Sequence, residues 1–180
     1  MNESTEITLK TTPCQAGVQT PILDCCCGSR MMWFDKNNPL ATYMDIRNED
    51  CFLTDGQLVM VRPNIIGDFT KMPFPDESFY MVVFDPPHLR WEGKTANLYK
   101  RFGCLDKDWR DTLSKGFKEC FRVLKPYGTL IFKWSDVHLK LRSVLALTEE
   151  KPLFGHRRGN TFFVCFMKIP AQMKGIEPHF

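Results

Sequence analysis

Four short apolar runs in this 180-residue chain each close on an aspartate: Pro21-Ile22-Leu23-Asp24, Leu40-Ala41-Thr42-Tyr43-Met44-Asp45, Asn64-Ile65-Ile66-Gly67-Asp68 and Phe79-Tyr80-Met81-Val82-Val83-Phe84-Asp85. Runs of this length and content read as strands. One aspartate at a strand end means little, because loop starts favour Asp for turn chemistry. Four in series constrain more. In an open α/β sheet the carboxyl ends of parallel strands face one crevice, so the four carboxylates are expected along one pocket. The fourth run passes directly into Pro86-Pro87-His88. Each proline fixes φ near about −65° and lacks an N–H, which holds the Pro86 carbonyl in one direction beside Asp85.

The remaining elements fit the same architecture. Cys25-Cys26-Cys27-Gly28-Ser29 is a small-residue turn, and Ser29 is placed to cap a short helix over residues 30–36 that Asn37-Asn38-Pro39 stops. Thr54-Asp55-Gly56-Gln57 reads as the tip of a hairpin joining 51–53 to 58–61, because Asp-Gly favours the turn that matches strand twist. After a polar loop over 89–99, Leu105, Trp109, Leu113, Phe117, Phe121 and Leu124 recur at helical spacing and define one apolar face. Residues 129–134 read as a strand, 137–147 as a helix, and 153–155 and 161–167 as two closing strands around a turn at 157–160. Strands alternating with helices imply a mostly parallel α/β sheet, here of seven strands, with a C-terminal antiparallel strand and a small hairpin insertion. The length suits one domain, with its core at about 19–168 and tails at both ends.

Asp85-Pro86-Pro87-His88 resembles the Asp/Asn/Ser-Pro-Pro-aromatic motif of the S-adenosylmethionine-dependent amino-methyltransferases, with His88 at the aromatic position. Asp24-Cys25-Cys26-Cys27-Gly28-Ser29 is similar to the D-x-x-x-G-S/T first motif of the same class I family, in which small residues such as Cys25 and Gly28 let the cofactor approach the backbone. It is not the G-x-G-x-x-G of dinucleotide binders. The resemblance runs in linear order from Pro21 to Trp134. It implies a Rossmann-like methyltransferase fold and S-adenosyl-L-methionine as cofactor. Asp45 would stand at the ribose position and Asp68 with Phe69 at the adenine segment. Asp85 and the Pro86 carbonyl would accept the N–H hydrogens of a conjugated amine, with Pro87 rigidifying the loop and His88 stacking on the base. An exocyclic amine of a nucleic-acid base, adenine first, is the implied acceptor. A guanine amine in RNA, a protein glutamine side chain and a small-molecule amine are the alternatives, and a non-catalytic cofactor-binding module is the rival outside enzymology.

Composition leaves these readings open. The net charge of +3 permits a DNA or RNA partner without demanding one. Arg90, Trp91 and Lys94, just beyond the Pro-Pro loop, are the candidate substrate contacts, with Lys100 and Arg101 behind them. Little chain remains for a separate recognition domain, so specificity is expected from loops, a homo-oligomer or a partner. The eight cysteines accompany an N-terminus with no signal pattern, which points to a reducing, cytoplasmic setting. Contiguous Cys25, Cys26 and Cys27 have poor spacing for zinc and read as small buried hydrophobes, so no metal is expected. No apolar stretch is long enough to span a membrane. Pro13-Cys14-Gln15 matches the nucleophile tripeptide of cytosine-5 methyltransferases but precedes the cofactor loop, the reverse of that family's order. His138 and His156 read as structural or exposed rather than as general bases, and Trp33, Trp109 and Trp134 as core.

Overall fold

The computed structural model describes residues 20–90, 93 and 96–173. The expectations for Cys14, Trp91 and Lys94 therefore lie outside the described residues. The described chain runs β1 (Ile22–Asp24), β2 (Ala41–Asp45), β3 (Glu49–Phe52), β4 (Leu58–Val61), β5 (Ile65–Ile66), β6 (Phe79–Phe84), α1 (Asn97–Phe102), α2 (Trp109–Val123), β7 (Leu124–Ser135), α3 (Leu141–Leu145), β8 (Phe154–Arg158) and β9 (Thr161–Met167). A single 3-10 turn follows at Ala171–Met173.

Seven strands form one sheet in the order β5-β2-β1-β6-β7-β9-β8, and β3 pairs only with β4. β5, β2, β1, β6 and β7 are mutually parallel, while β9 runs antiparallel to both β7 and β8. The chain leaves β1 toward β5 and returns to β6 on the other side of β1. The boundary between β1 and β6 is thus the topological switch point, where sheets of this kind bind ligands.

One face of the sheet carries the main core. Leu113, Phe117 and Cys120 of α2 are fully buried together with Val82, Phe84, Leu130, Phe132 and Phe166 of the strands. Each such large side chain contributes roughly 1.5–3 kcal/mol of burial. The close approach of α2 depends on Gly116, where a Cβ would meet the rings of Phe84 at 2.7 Å and Phe69 at 2.8 Å. The helix begins at Trp109, so Leu105 precedes it in an isolated bridge with Arg90.

The structure corrects three expectations. Residues 30–36 form turns rather than a helix. Arg30 lies in the left-handed region at φ 57°, and its guanidinium donates to the Lys36 carbonyl at 2.6 Å, which closes the segment into a loop. The second helix is confined to Leu141–Leu145, because Lys140 is extended and the Trp134 indole donates to the Leu139 carbonyl at 2.8 Å. Part of the 89–99 loop is helical instead, since α1 starts at Asn97 and ends at Gly103, φ 70°.

α1 buries none of its residues and is tied to the β3–β4 hairpin through polar contacts. The Asn97 amide bonds the Thr54 backbone N–H and hydroxyl, the Lys100 ammonium donates to the Phe52 carbonyl at 2.8 Å, and Arg101 donates to the Gln57 side chain. The buried hairpin residues, Leu53, Val59 and Val61, make a small cluster apart from the main core.

Candidate active site

Strand register places the acids. Asp24 is level with Tyr43 and Val83. Asp45 and Asp85 lie two residues beyond those partners, and the Phe84–Phe132 pairing sets Lys133 beside Asp85. Because alternate residues share a face, Asp24, Asp45, Asp85 and Lys133 all project from the sheet face opposite α2. They line one cleft of about 240 Å³, together with residues 25–32, Arg47, Phe69, Pro86, Pro87, His88, and Tyr99, Arg101 and Phe102 of α1. Asp68 is not in this lining. It is exposed, and its Oδ1 accepts from the backbone N–H and hydroxyl of Thr70, each at 2.8 Å, so it shapes a turn while neighbouring Phe69 faces the cleft. Arg90 also lies outside the lining; its backbone N–H donates to His138 Nδ1 at 2.9 Å, a structural use of that histidine.

Each carboxylate is in a different electrostatic state. Asp24 is 3% exposed, its Oδ2 accepts from the Trp33 indole at 2.7 Å, and its Oδ1 is buried without a partner among the described residues. Burial pushes its pKa up to about 7; the charges of Asp85 and Asp45 add to the rise, and the Trp33 bond opposes it. Both oxygens of Asp45 have partners, with acceptor capacity left on Oδ2. Its Oδ2 accepts from the Gly28 N–H at 2.8 Å, and its Oδ1 from the Arg47 N–H at 2.9 Å and guanidinium at 3.3 Å. Gly28 makes that bond from φ +49°, a backbone state that glycine adopts without steric cost. Arg47 also donates to the Lys100 carbonyl at 3.1 Å, linking the end of β2 to α1.

Asp85 is half-buried and its Oδ2 accepts from the Lys133 ammonium at 2.5 Å, leaving Oδ1 without a hydrogen-bond partner among the described residues. Burial raises its pKa, and the ammonium of Lys133 works against that rise. His88 is held down to about 4 by burial first, with Lys133 and His138 adding, so its ring is neutral at physiological pH. It packs at 5.8 Å from the Phe102 ring and 6.3 Å from Trp134. The result is an apolar, uncharged shelf next to a free carboxylate oxygen.

The cysteines of the first loop are not nucleophiles. Burial lifts the Cys25 and Cys26 thiols well above their ordinary range and Cys27 to about 12, so all three stay protonated. Cys25 Sγ faces inward, donating to the Val83 carbonyl at 3.2 Å. No group of three or more metal-ligating side chains occurs among the described residues.

Three site residues escaped the sequence reading. Lys133 had a visible signal, a lone lysine between Phe132 and Trp134 in an otherwise apolar strand. Trp33 reads as core from composition, yet its indole positions Asp24. Arg47 gave no local signal, since its role depends on a turn that brings it back onto Asp45.

Among the described residues, no helix is long and apolar enough to cross a membrane. No family model and no curated protein matches the chain. Solved structures do. The PH0226 protein from Pyrococcus horikoshii OT3 superposes with a TM-score of 0.56 at 17% identity, covering 81% of each chain. A TehB-like SAM-dependent methyltransferase from Corynebacterium glutamicum ATCC 13032 Kitasato superposes at 0.50 and 13% identity, covering 86% of this chain and 83% of its own. With its strand order, its single reversed strand β9 and these likenesses, the chain has a Rossmann-like methyltransferase fold.

Proposed function

We propose that the cleft binds S-adenosyl-L-methionine and that the protein transfers its methyl group to an amino nitrogen, with the exocyclic amine of a nucleic-acid base as the preferred acceptor. The observation that carries the reading is the convergence of Asp24, Asp45 and Asp85 at the switch point, with one oxygen of Asp24 buried and unpartnered. A buried carboxylate oxygen without a donor is costly unless a ligand supplies one. A ligand bearing an ammonium and a sulfonium suits such surroundings. Asp24 would accept from the ammonium, and Asp45, steadied by Gly28 and Arg47, would face the ribose hydroxyls. Phe69 would lie against the adenine. When bound, the cofactor supplies an electrophilic methyl group.

The chain's own residues then have distinct tasks. The Pro-Pro loop and neutral His88 give a planar acceptor a rigid, uncharged surface. Asp85 Oδ1 accepts an N–H of the amine, which turns the nitrogen lone pair toward the cleft, and it takes the proton that nitrogen must lose. Lys133 holds Oδ2 and keeps the carboxylate ionised and oriented. Positioning and fixed charge of this kind are the principal sources of rate for such a transfer.

Calorimetry with S-adenosylmethionine and its demethylated product tests the binding step, and labelled cofactor incubated separately with DNA, RNA, protein and metabolite pools tests the acceptor. Failure to bind millimolar cofactor would overturn the reading. Lys133→Met should move the acidic limb of the pH–rate profile upward, because removing the neighbouring positive charge lets burial raise the Asp85 pKa further. A profile whose acidic limb stays in place would show that Lys133 does not tune Asp85.

A further inference from the structure

Beside the cleft lies a second groove of about 540 Å³, lined by residues 28–31, Lys36, Asn37, Gln57, Leu58, Val59, Met60, Arg62 and Arg101. The two depressions share residues 28–31 and Arg101, so they are continuous. Their linings differ in charge: Asp24, Asp45 and Asp85 stand among Arg30, Arg47, Arg101 and Lys133 in the cleft. Four cations, Arg30, Lys36, Arg62 and Arg101, line the groove, and no carboxylate does. Among the described residues only Arg62 of these has an acidic partner, Asp50, which pairs with it from outside the lining. Arg101 donates to the neutral Gln57 amide. Arg30 is satisfied by the carbonyls of Lys36 and Arg62, both at 2.6 Å, and by Asn37, and it stacks 3.8 Å from the Tyr43 ring centroid. It therefore fixes the groove's shape and contributes an uncancelled charge. The floor is apolar, with Met31, Leu58 and Met60 at 63%, 42% and 47% exposure.

On the basis of the function proposed above, we infer that this groove holds the sugar–phosphate backbone of a single-stranded nucleic-acid acceptor, delivering one base into the neighbouring cleft beside Asp85. Cations without acidic partners match a phosphodiester chain. The exposed apolar floor suits unstacked sugars and base faces, which a free phosphate does not offer. Arg30 and Arg101 border both depressions, while the three aspartates lie on the cleft side alone.

Fluorescence anisotropy with single-stranded DNA and RNA of about 12 nucleotides, within the usual span of single-strand sites, tests this on the full chain. Lys36 and Arg62 line the groove and not the cleft, so Lys36→Gln and Arg62→Gln leave the cleft lining intact, the second also releasing Asp50. Each should weaken binding without regard to sequence and flatten the slope of log K against log salt by about 0.7. The double variant should bind about tenfold or more weakly, with cofactor binding by calorimetry and the circular dichroism spectrum unchanged. Lys36→Glu gives a charge-reversed check of the same expectation. The inference is overturned if the folded, cofactor-binding protein does not bind oligonucleotide, if the double variant binds as tightly as the parent, or if a nucleoside monophosphate competes as well as the strand. Salt-sensitive strand binding without cofactor binding would instead support the groove and overturn the methyltransferase reading.

Discussion

Replacing Asp85 with alanine is expected to slow methyl transfer by about a hundred- to a thousandfold, the usual cost of losing one preorganised electrostatic contact. Cofactor affinity should change far less, because Asp24 and Asp45 on other strands, and Phe69 in the turn after β5, remain in place. Both Asp85→Ala and Asp85→Asn leave Lys133 without an acidic partner, but Asp85→Asn is the cleaner comparison because it keeps the side-chain volume and an oxygen that can accept from Lys133 while losing the charge that takes the proton. Initial rates at saturating cofactor, with circular dichroism to confirm folding, separate chemistry from binding. Near-normal turnover in a folded, cofactor-bound Asp85→Ala protein would reduce Asp85 to a strand-end turn residue and remove the amino-methyltransferase assignment.

The second large effect concerns Asp24 and has two parts of opposite sign. Its folded pKa of about 7 lies above the ordinary 3.8, so the folded state favours the protonated acid. The stability this contributes is complete at low pH and is lost as pH rises between those values. At pH 8 the ligand-free protein holds a buried carboxylate with one unpartnered oxygen, and Asp24→Asn removes that charge. We expect the variant to melt several degrees higher than the parent at pH 8, with the gap narrowing below about pH 7 and closing near the ordinary 3.8. Cofactor binding should move the other way. Losing a charged acceptor for the ammonium costs about 1.5–3 kcal/mol, roughly ten- to a hundredfold in Kd. For the parent protein, affinity should rise with pH through about 7 as Asp24 ionises. A variant that binds cofactor as tightly as the parent, or a parent affinity that is flat from pH 6 to 8, would rule out this role for Asp24.

What could be read from the chain was what depends on near neighbours. β6 and β9 lie where contiguous apolar residues place them, and the acids closing β1, β2 and β6 reach a common cleft because parallel strands end on one side. The hairpin was legible from Asp55-Gly56, with Gly56 at φ 81°. Asp68 departs from its three counterparts because β5 is only two residues long and its following turn captures the carboxylate. The turns at 30–36 were hidden for a different reason. Their conformation is set by Trp33 reaching Asp24 and by Arg30 reaching Arg62, contacts made across 9 and 32 positions of chain that no local pattern encodes. The Lys133–Asp85 pair spans 48 positions and exists only through the β6–β7 register.

The attachment of α1 to the hairpin bears on how substrates enter and leave. α1 and β3–β4 are bound to each other by side-chain hydrogen bonds at exposed positions, α1 has no buried residue to anchor it, and Arg47, just beyond β2, reaches α1 through the Lys100 carbonyl. Such bonds each contribute only about 0.5–1.5 kcal/mol net, against the far larger burial that secures α2. The pair thus forms a sub-global unit whose excursion costs less than unfolding the domain. Arg101 rides on that unit and borders both depressions. A displacement of that unit would therefore widen the cleft and the groove together, rather than opening either one alone.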